Sequence, residues 1–302
     1  MERRVLITGA NGLLGQKLVA KLQGRTGLSL LATGEDESHK LQGDYAYAQM
    51  DLNNAAQMSQ VVRDFGPTEL INCAAITNVD ACEKEQQLCH RVNAQAVEEL
   101  AQLCLELDAR LIHISTDFIF DGEESPYDER ATANPLSTYG HSKWLAEERI
   151  QEVGVRAAIL RTALVYGVLP DLSRSNIILW VKKSLEAGQQ IRVINDQVRS
   201  PTLAEDLADG VIAVLMREKT GIYHLAGPDI LNVWEIAQQT AQFFGLDTTL
   251  MVPTDSTTLN QPARRPPQTG MIILKAQTEL DYRPHTLAQG LAVIQRQLQA
   301  MA

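Results

Sequence analysis

The first 165 residues alternate between short apolar, β-rich runs and stretches of helical periodicity, and this alternation constrains the fold more than any other feature of the chain. The strand-like runs occupy residues 5–8, 29–33, 45–51, 70–73, 111–115 and 158–162; the helical stretches occupy 14–23, 55–65, 88–107 and 139–152. Strands joined through helices fold by right-handed crossovers, which make the strands parallel, and a parallel sheet needs both faces covered. The expected class is therefore α/β, with a doubly wound parallel sheet.

Beyond residue 166 the pattern changes. Helical runs at 176–187, 203–216, 233–244 and 287–300 are separated by loops rich in Pro, Gly and Thr, with short strands at 191–194 and 222–224. The reading is a sheet unit over 1–165 and a smaller lobe over 166–302, with the helix at 203–216 packing back on the sheet. There is no internal repeat and no low-complexity segment.

The turn that joins the first strand to the first helix reads Thr8-Gly9-Ala10-Asn11-Gly12-Leu13-Leu14-Gly15. In that context Gly9 permits a tight turn, Gly12 lets the backbone approach a pyrophosphate, and Gly15 lets helix and strand pack closely. The unpaired N–H groups at the helix start then face phosphate oxygens. Gly9, Asn11, Gly12, Leu13, Leu14 and Gly15 are thus candidate contacts for a dinucleotide, and the sheet reads as Rossmann-type. A carboxylate at the end of the second strand would take the adenine ribose 2′-hydroxyl and favour NADH. That position reads as Thr33, which does not repel a 2′-phosphate, whereas Glu35 and Asp36 do and Lys40 is the nearest cation. The choice between NADH and NADPH stays open at this level. Asp51, ending the third strand, either meets the adenine amino group or starts the turn Asp51-Leu52-Asn53-Asn54.

Tyr139 and Lys143 lie four residues apart, one above the other on a helix face. A free phenol, with a pKa of ~10, exchanges protons poorly near neutrality. A neighbouring ammonium and a helix start both lower that value, so the pair reads as a proton donor to a developing alkoxide. Thr116, ending the fifth strand, is expected to donate a second hydrogen bond to the same oxygen. Strand carboxyl ends are where parallel sheets bind ligands, which places Thr116 beside the glycine loop. His90, His113, His141 and His224 read as structural histidines. Trp144 and Trp234 read as packing residues, and Trp180 as a pocket wall.

The net charge of -10 is spread along the 302 residues. It argues against nucleic acid and anionic membrane as partners, and it requires a local basic pocket for any anionic substrate. Cys73, Cys82, Cys89 and Cys104 form no C-x-x-C pair and read as buried thiols in a reducing compartment, with no metal site. No apolar run approaches the ~20 residues of a membrane span. The run Val5-Leu6-Ile7 is too short for a signal peptide, so a cytoplasmic protein is expected.

With these residues on the page, the chain resembles the extended short-chain dehydrogenases/reductases, and most closely the dTDP-4-dehydrorhamnose reductases. The marks run over nearly the whole sequence. They are the glycine loop, Asn72-Cys-Ala-Ala75, Thr77-Asn-Val-Asp80, Arg91-Val-Asn93, Ser115-Thr-Asp-Phe-Ile-Phe-Asp-Gly122 and Tyr139 to Lys143. They continue with Leu160-Arg-Thr162, Val165-Tyr-Gly167, Asp196-Gln197, Ser200-Pro-Thr202 and Ala263-Arg-Arg-Pro266. The resemblance implies reduction of the C4 ketone of dTDP-4-dehydro-L-rhamnose by NADPH or NADH, with Tyr139 as proton donor and Lys143 on the nicotinamide ribose. It assigns Leu52, Ala74, Ala75 and Asn93 to the cofactor cleft, Thr116, Asp117, Phe118 and Trp180 to the sugar, and Asn176, Arg199 and Arg265 to the nucleotide diphosphate. It leaves a homodimer open as the assembly. Phe118 and Leu164 stand where the family often has Tyr and Trp, which removes polar edges near the expected sugar. A 4,6-dehydratase would need an acid where Phe118 stands. A rival of another class is a dinucleotide-binding regulatory subunit resembling the β subunit of methionine adenosyltransferase.

Overall fold

A computed structural model describes residues 2–169, 176–259 and 261–301. Seven strands make the main sheet: β1 (Arg3–Thr8), β2 (Leu28–Gly34), β3 (Ala46–Gln49), β4 (Glu69–Asn72), β5 (Arg110–Thr116), β6 (Ala157–Thr162) and β7 (Gly221–His224). Their spatial order is β7-β6-β5-β4-β1-β2-β3, and every neighbouring pair is parallel. The helices that concern the site are α1 (Leu13–Leu22), α2 (Ala55–Phe65), α3 (Ala96–Glu106), α4 (Thr138–Val153), α5 (Ile177–Glu186), α6 (Ala204–Met216), α7 (Val233–Phe243), α8 (Leu274–Leu280) and α9 (Leu287–Met301).

Successive side chains of a strand point to opposite faces, and each face has its own core. Val5, Ile7, Ile71, Ile112, Ala158 and Leu160 pack with α1, α6 and α8, through residues such as Leu18, Leu22, Val211 and Leu280. Leu6, Leu70, Leu111 and Ile159 pack with α2, α3 and α4, through Met58, Val62, Leu100 and Ile150. Each such buried aliphatic side chain contributes roughly 1.5–3 kcal/mol relative to exposure. The strands are apolar on both sides because both sides are covered.

The chain does not leave the sheet for good at residue 166. β7, which the sequence reading put in the smaller lobe, pairs with β6 (Ile222 opposite Ile159) and forms the sheet edge. α6 covers the first face beside α1, and α8 lies in the same core. The smaller lobe is built from the segments between these returns. Tyr166, Ile178, Leu203, Ile236, Leu287 and Leu291 make one of its cores. A second core packs α5 and α7 on the parallel pair Ile191–Ile194 and Met251–Thr254. A single boundary at 165/166 therefore does not separate sheet from lobe. A three-residue strand run carries too little periodicity to reveal its partner.

The long helix expected over 88–107 is interrupted. Gln86–His90 and α3 are joined by a π turn at Arg91–Gln95, and a further short helix, Val79–Lys84, precedes them. The wide turn points Asn93 inward, where its amide accepts from Ile76 N at 2.8 Å and donates to Ile76 O at 3.0 Å. π turns recur beside functional sites, and Ile76 does line the cleft described next. Among the described residues no helix is long and apolar enough to cross a membrane.

Candidate active site

The strand order reverses between β1 and β4, whose carboxyl ends lie side by side with Thr8 opposite Asn72. The chain leaves these two ends in opposite directions, which opens a crevice above the sheet. A cleft of about 490 Å³ lies there.

Its floor is the glycine loop. Gly9 has φ +65°, and a Cβ on it would stand 2.8 Å from Ala74 Cα. At Gly15 a Cβ would meet Gly9 O at 2.3 Å, so a side chain there would lift α1 off the loop. Gly12 is the N-cap of α1 and offers no side-chain cap, which leaves the first-turn N–H groups to an outside acceptor. A backbone cradle of this kind, closed to side chains and aimed at a cleft, fits the pyrophosphate of a dinucleotide. The loop glycines, Asn11, Leu13 and Leu14 line the cleft together with Leu52, Ala74 and Ala75.

Thr33 does not. It is fully buried, and its hydroxyl donates to Ile7 O at 3.1 Å inside the sheet. β2 runs one residue further than expected, so Gly34, Glu35 and Asp36 are the residues that reach the cleft. Asp51 is a turn residue whose Oδ1 accepts from Asn53 N at 2.8 Å. Asn93 is wholly buried and holds the loop at Ile76, not the cleft.

The opposite wall is built by β5 and α4. Ser137 caps α4 by accepting from Gly140 N, which sets Tyr139 in the first turn and Lys143 one turn on. Gly140 lets the carbonyl of Phe118 press against the helix, where a Cβ would stand only 2.2 Å from that oxygen. Tyr139, Lys143, Thr116 and Asp117 thereby face one cleft with the glycine loop. Burial raises the Tyr139 phenol above its ordinary value, while a hydrogen bond with Thr116 pulls it back. The acidified phenol expected from the sequence is thus absent, because burial outweighs the other influences on it. Burial also brings Lys143 down to about 8, against the upward pull of Glu147, Cys73 and Cys89.

Lys143 ends a polar row that links it to the structural histidine His113. Its Nζ donates to Ile114 O at 2.7 Å and lies 3.0 Å from His113 Nε2. His113 Nδ1 accepts from Asn72 Nδ2 at 3.0 Å, and Asn72 Oδ1 accepts from Thr8 Oγ1 at 2.5 Å. The three residues stand in one register row across β1, β4 and β5. The sequence signal was a polar residue, Thr8, Asn72 or His113, directly after the apolar run of each of three strands. His113 is buried and held well below its ordinary value, mainly by desolvation and next by Lys143.

The cations expected at the nucleotide diphosphate do not line the cleft and are already engaged. Arg199 is buried and donates to Val198 O, Pro266 O and Gln197 Oε1 at 2.8–2.9 Å, with Asp117 at 3.9 Å and the Phe118 ring beneath it. Arg265 pairs with Asp80 at 2.8 Å. Thr269 donates to Asp117 Oδ2, whose carboxyl is raised by burial against the pull of Arg199 and Thr269. These bonds strap residues 263–269 over Asp117 and do not form an open basic pocket. Phe118 packs edge-on against Tyr139, with ring centroids 5.9 Å apart, and does not line the cleft. Trp180 stands on the outer side of α5 and is 37% exposed. Asn176 lines the cleft as the N-cap of α5 and also donates to Gly167 O at 2.7 Å.

A family model described as the RmlD substrate binding domain matches residues 3–300. The chain belongs to that family. This RmlD-family chain is similar to a probable low-salt glycan biosynthesis reductase, Agl14, of Haloferax volcanii, with 30% identity over 293 residues and 96% of each chain covered. It is also 30% identical over 262 residues to the methionine adenosyltransferase 2 subunit beta of Xenopus laevis, covering 83% of this chain and 75% of that one. Among solved structures, the dTDP-4-dehydrorhamnose reductase of Bacillus anthracis in complex with NADP superposes with a TM-score of 0.83. That match has 26% identity and covers 98% of this chain and 100% of the other.

Proposed function

We propose that this chain is an NAD(P)H-dependent oxidoreductase that reduces the C4 ketone of a nucleotide-linked 4-dehydro sugar, with dTDP-4-dehydro-L-rhamnose to dTDP-L-rhamnose as the reaction. The observation that carries the reading is the meeting of Tyr139, Lys143 and Thr116 in one cleft with the glycine cradle. The relatives named as reductases support the activity.

The glycine loop and the start of α1 would hold the pyrophosphate of NAD(P)H, with Ala74 and Ala75 leaving room along the cleft, and the cofactor would supply the hydride for the carbonyl carbon. Tyr139 is kept protonated by burial at neutral pH, as a proton donor must be. As the C=O electron pair moves to oxygen, the phenol hydrogen transfers to it, and the alcohol forms with the phenolate left on Tyr139. Thr116 donates to the same oxygen as charge develops there. Lys143, as an ammonium, holds the nicotinamide ribose and stabilises the phenolate. Asp117, fixed by Thr269 and Arg199, is set to accept from a sugar hydroxyl.

The test is an assay of dTDP-4-ketosugar reduction with NADH and with NADPH. Tyr139→Phe is expected to lower turnover ~10²–10⁴-fold, the range for lost acid–base catalysis, while dinucleotide binding survives. Near-normal turnover in that variant would remove the proton-donor role. The similarity to a methionine adenosyltransferase subunit supports a second reading, a dinucleotide-binding partner protein. Dinucleotide binding without turnover of any dTDP-4-ketosugar would favour it.

A further inference from the structure

We infer that the adenosine end of the cleft selects NADH over NADPH, an inference that rests on the proposed reading of this cleft as a dinucleotide site. The residues that reach the cleft beyond β2 are Gly34, Glu35, Asp36 and Lys40. Two are carboxylates. Among the described residues lining the cleft, the cations are Lys40 and Lys143, and Lys143 lies at the catalytic end. Lys40 Nζ stands 3.8 Å from Asp36 Oδ2, so its charge is already shared with a carboxylate. A ribose 2′-phosphate carries a charge of about −1.5 to −2 near neutral pH. It would meet the fixed carboxylate of Asp36, the nearby Glu35 and one partly neutralised positive charge. A ribose 2′-hydroxyl would instead find an acceptor in Asp36.

The acidic segment is also held in place. Asn11, in the glycine loop itself, donates to Asp36 Oδ2 at 2.8 Å and to Ser38 O at 3.1 Å, and accepts from Lys40 N at 3.0 Å. Tyr47 donates to Asp36 O at 2.8 Å and Gln49 to Glu35 O at 2.8 Å. Asp36 Oδ2 is thus tied to the pyrophosphate cradle, which leaves Oδ1 for the ribose. Moving the Asp36 carboxylate aside to admit a phosphate would break its bond to Asn11 and its pairing with Lys40.

Calorimetric titration of the full chain with NADH and with NADPH tests this without turnover. The expected result is at least a tenfold lower dissociation constant for NADH, with a gap that narrows as salt screens the repulsion. Asp36→Ser is expected to weaken NADH and to bring the two constants together. Equal affinities, tighter NADPH, or NADPH binding that weakens with salt more than NADH binding would overturn the inference and leave the cleft reading intact. Binding of neither dinucleotide would overturn both. Circular dichroism of the variant guards against a folding defect.

Discussion

Lys143 is held by groups that compete over its proton. With the Asn72 amide donating to His113 Nδ1, the neutral ring carries its hydrogen on Nε2, which faces Lys143 Nζ and opposes an ammonium. Charging Lys143 therefore asks the Asn72 amide to turn its oxygen toward His113, while burial brings the lysine down to about 8. A depressed lysine is charged below that value and neutral above it. The rate constant kcat/KM is accordingly expected to be level on the acid side and to fall above about pH 8, as the ammonium that holds the ribose is lost. A pH–rate profile at saturating dinucleotide checks this, and a level rate well beyond that pH would take Lys143 out of the controlling ionisations. That Tyr139, Lys143 and Thr116 meet in one cleft was legible in the sequence from their helical spacing and strand position. Arg199, Arg265 and Thr33 were misjudged because their partners, Pro266, Asp80 and Ile7, are fixed only by the tertiary fold. His113 reads from the sequence as a structural histidine, and its link to Asn72 and Lys143 is likewise fixed only by the tertiary fold.

At the level of elements, six strands and the helices between them follow from local periodicity, and the structure moves their ends by a residue or two. What the pattern could not supply was the π turn, which depends on Asn93 finding Ile76 across a loop. A tight joint lies at Gly15, where α1 crosses the loop so closely that one methyl group would overlap Gly9 O. Gly15→Ala is expected to destabilise the protein by about 1–3 kcal/mol, the usual cost of overpacking, and to weaken dinucleotide binding by displacing the start of α1. Urea denaturation and calorimetry measure the two effects. Wild-type stability together with wild-type affinity would show that the helix start moves freely.

At the scale of the whole molecule, sheet and lobe are woven from alternating segments, with α6, β7 and α8 returning to the sheet after the chain has visited the lobe. A fragment ending at residue 165 lacks the helices that cover Val5, Ile7, Ile71, Ile112 and Leu160 beside α1. It is expected to bind hydrophobic dyes and to aggregate on gel filtration; a cooperatively folding monomer would contradict this. The same weaving sets the order of events at the ribosome. Six of the seven strands, β1 to β6, are synthesised before residue 204, so one face of the nascent sheet has only α1 to cover it until α6 follows, an interval in which its exposed apolar side chains are open to aggregation.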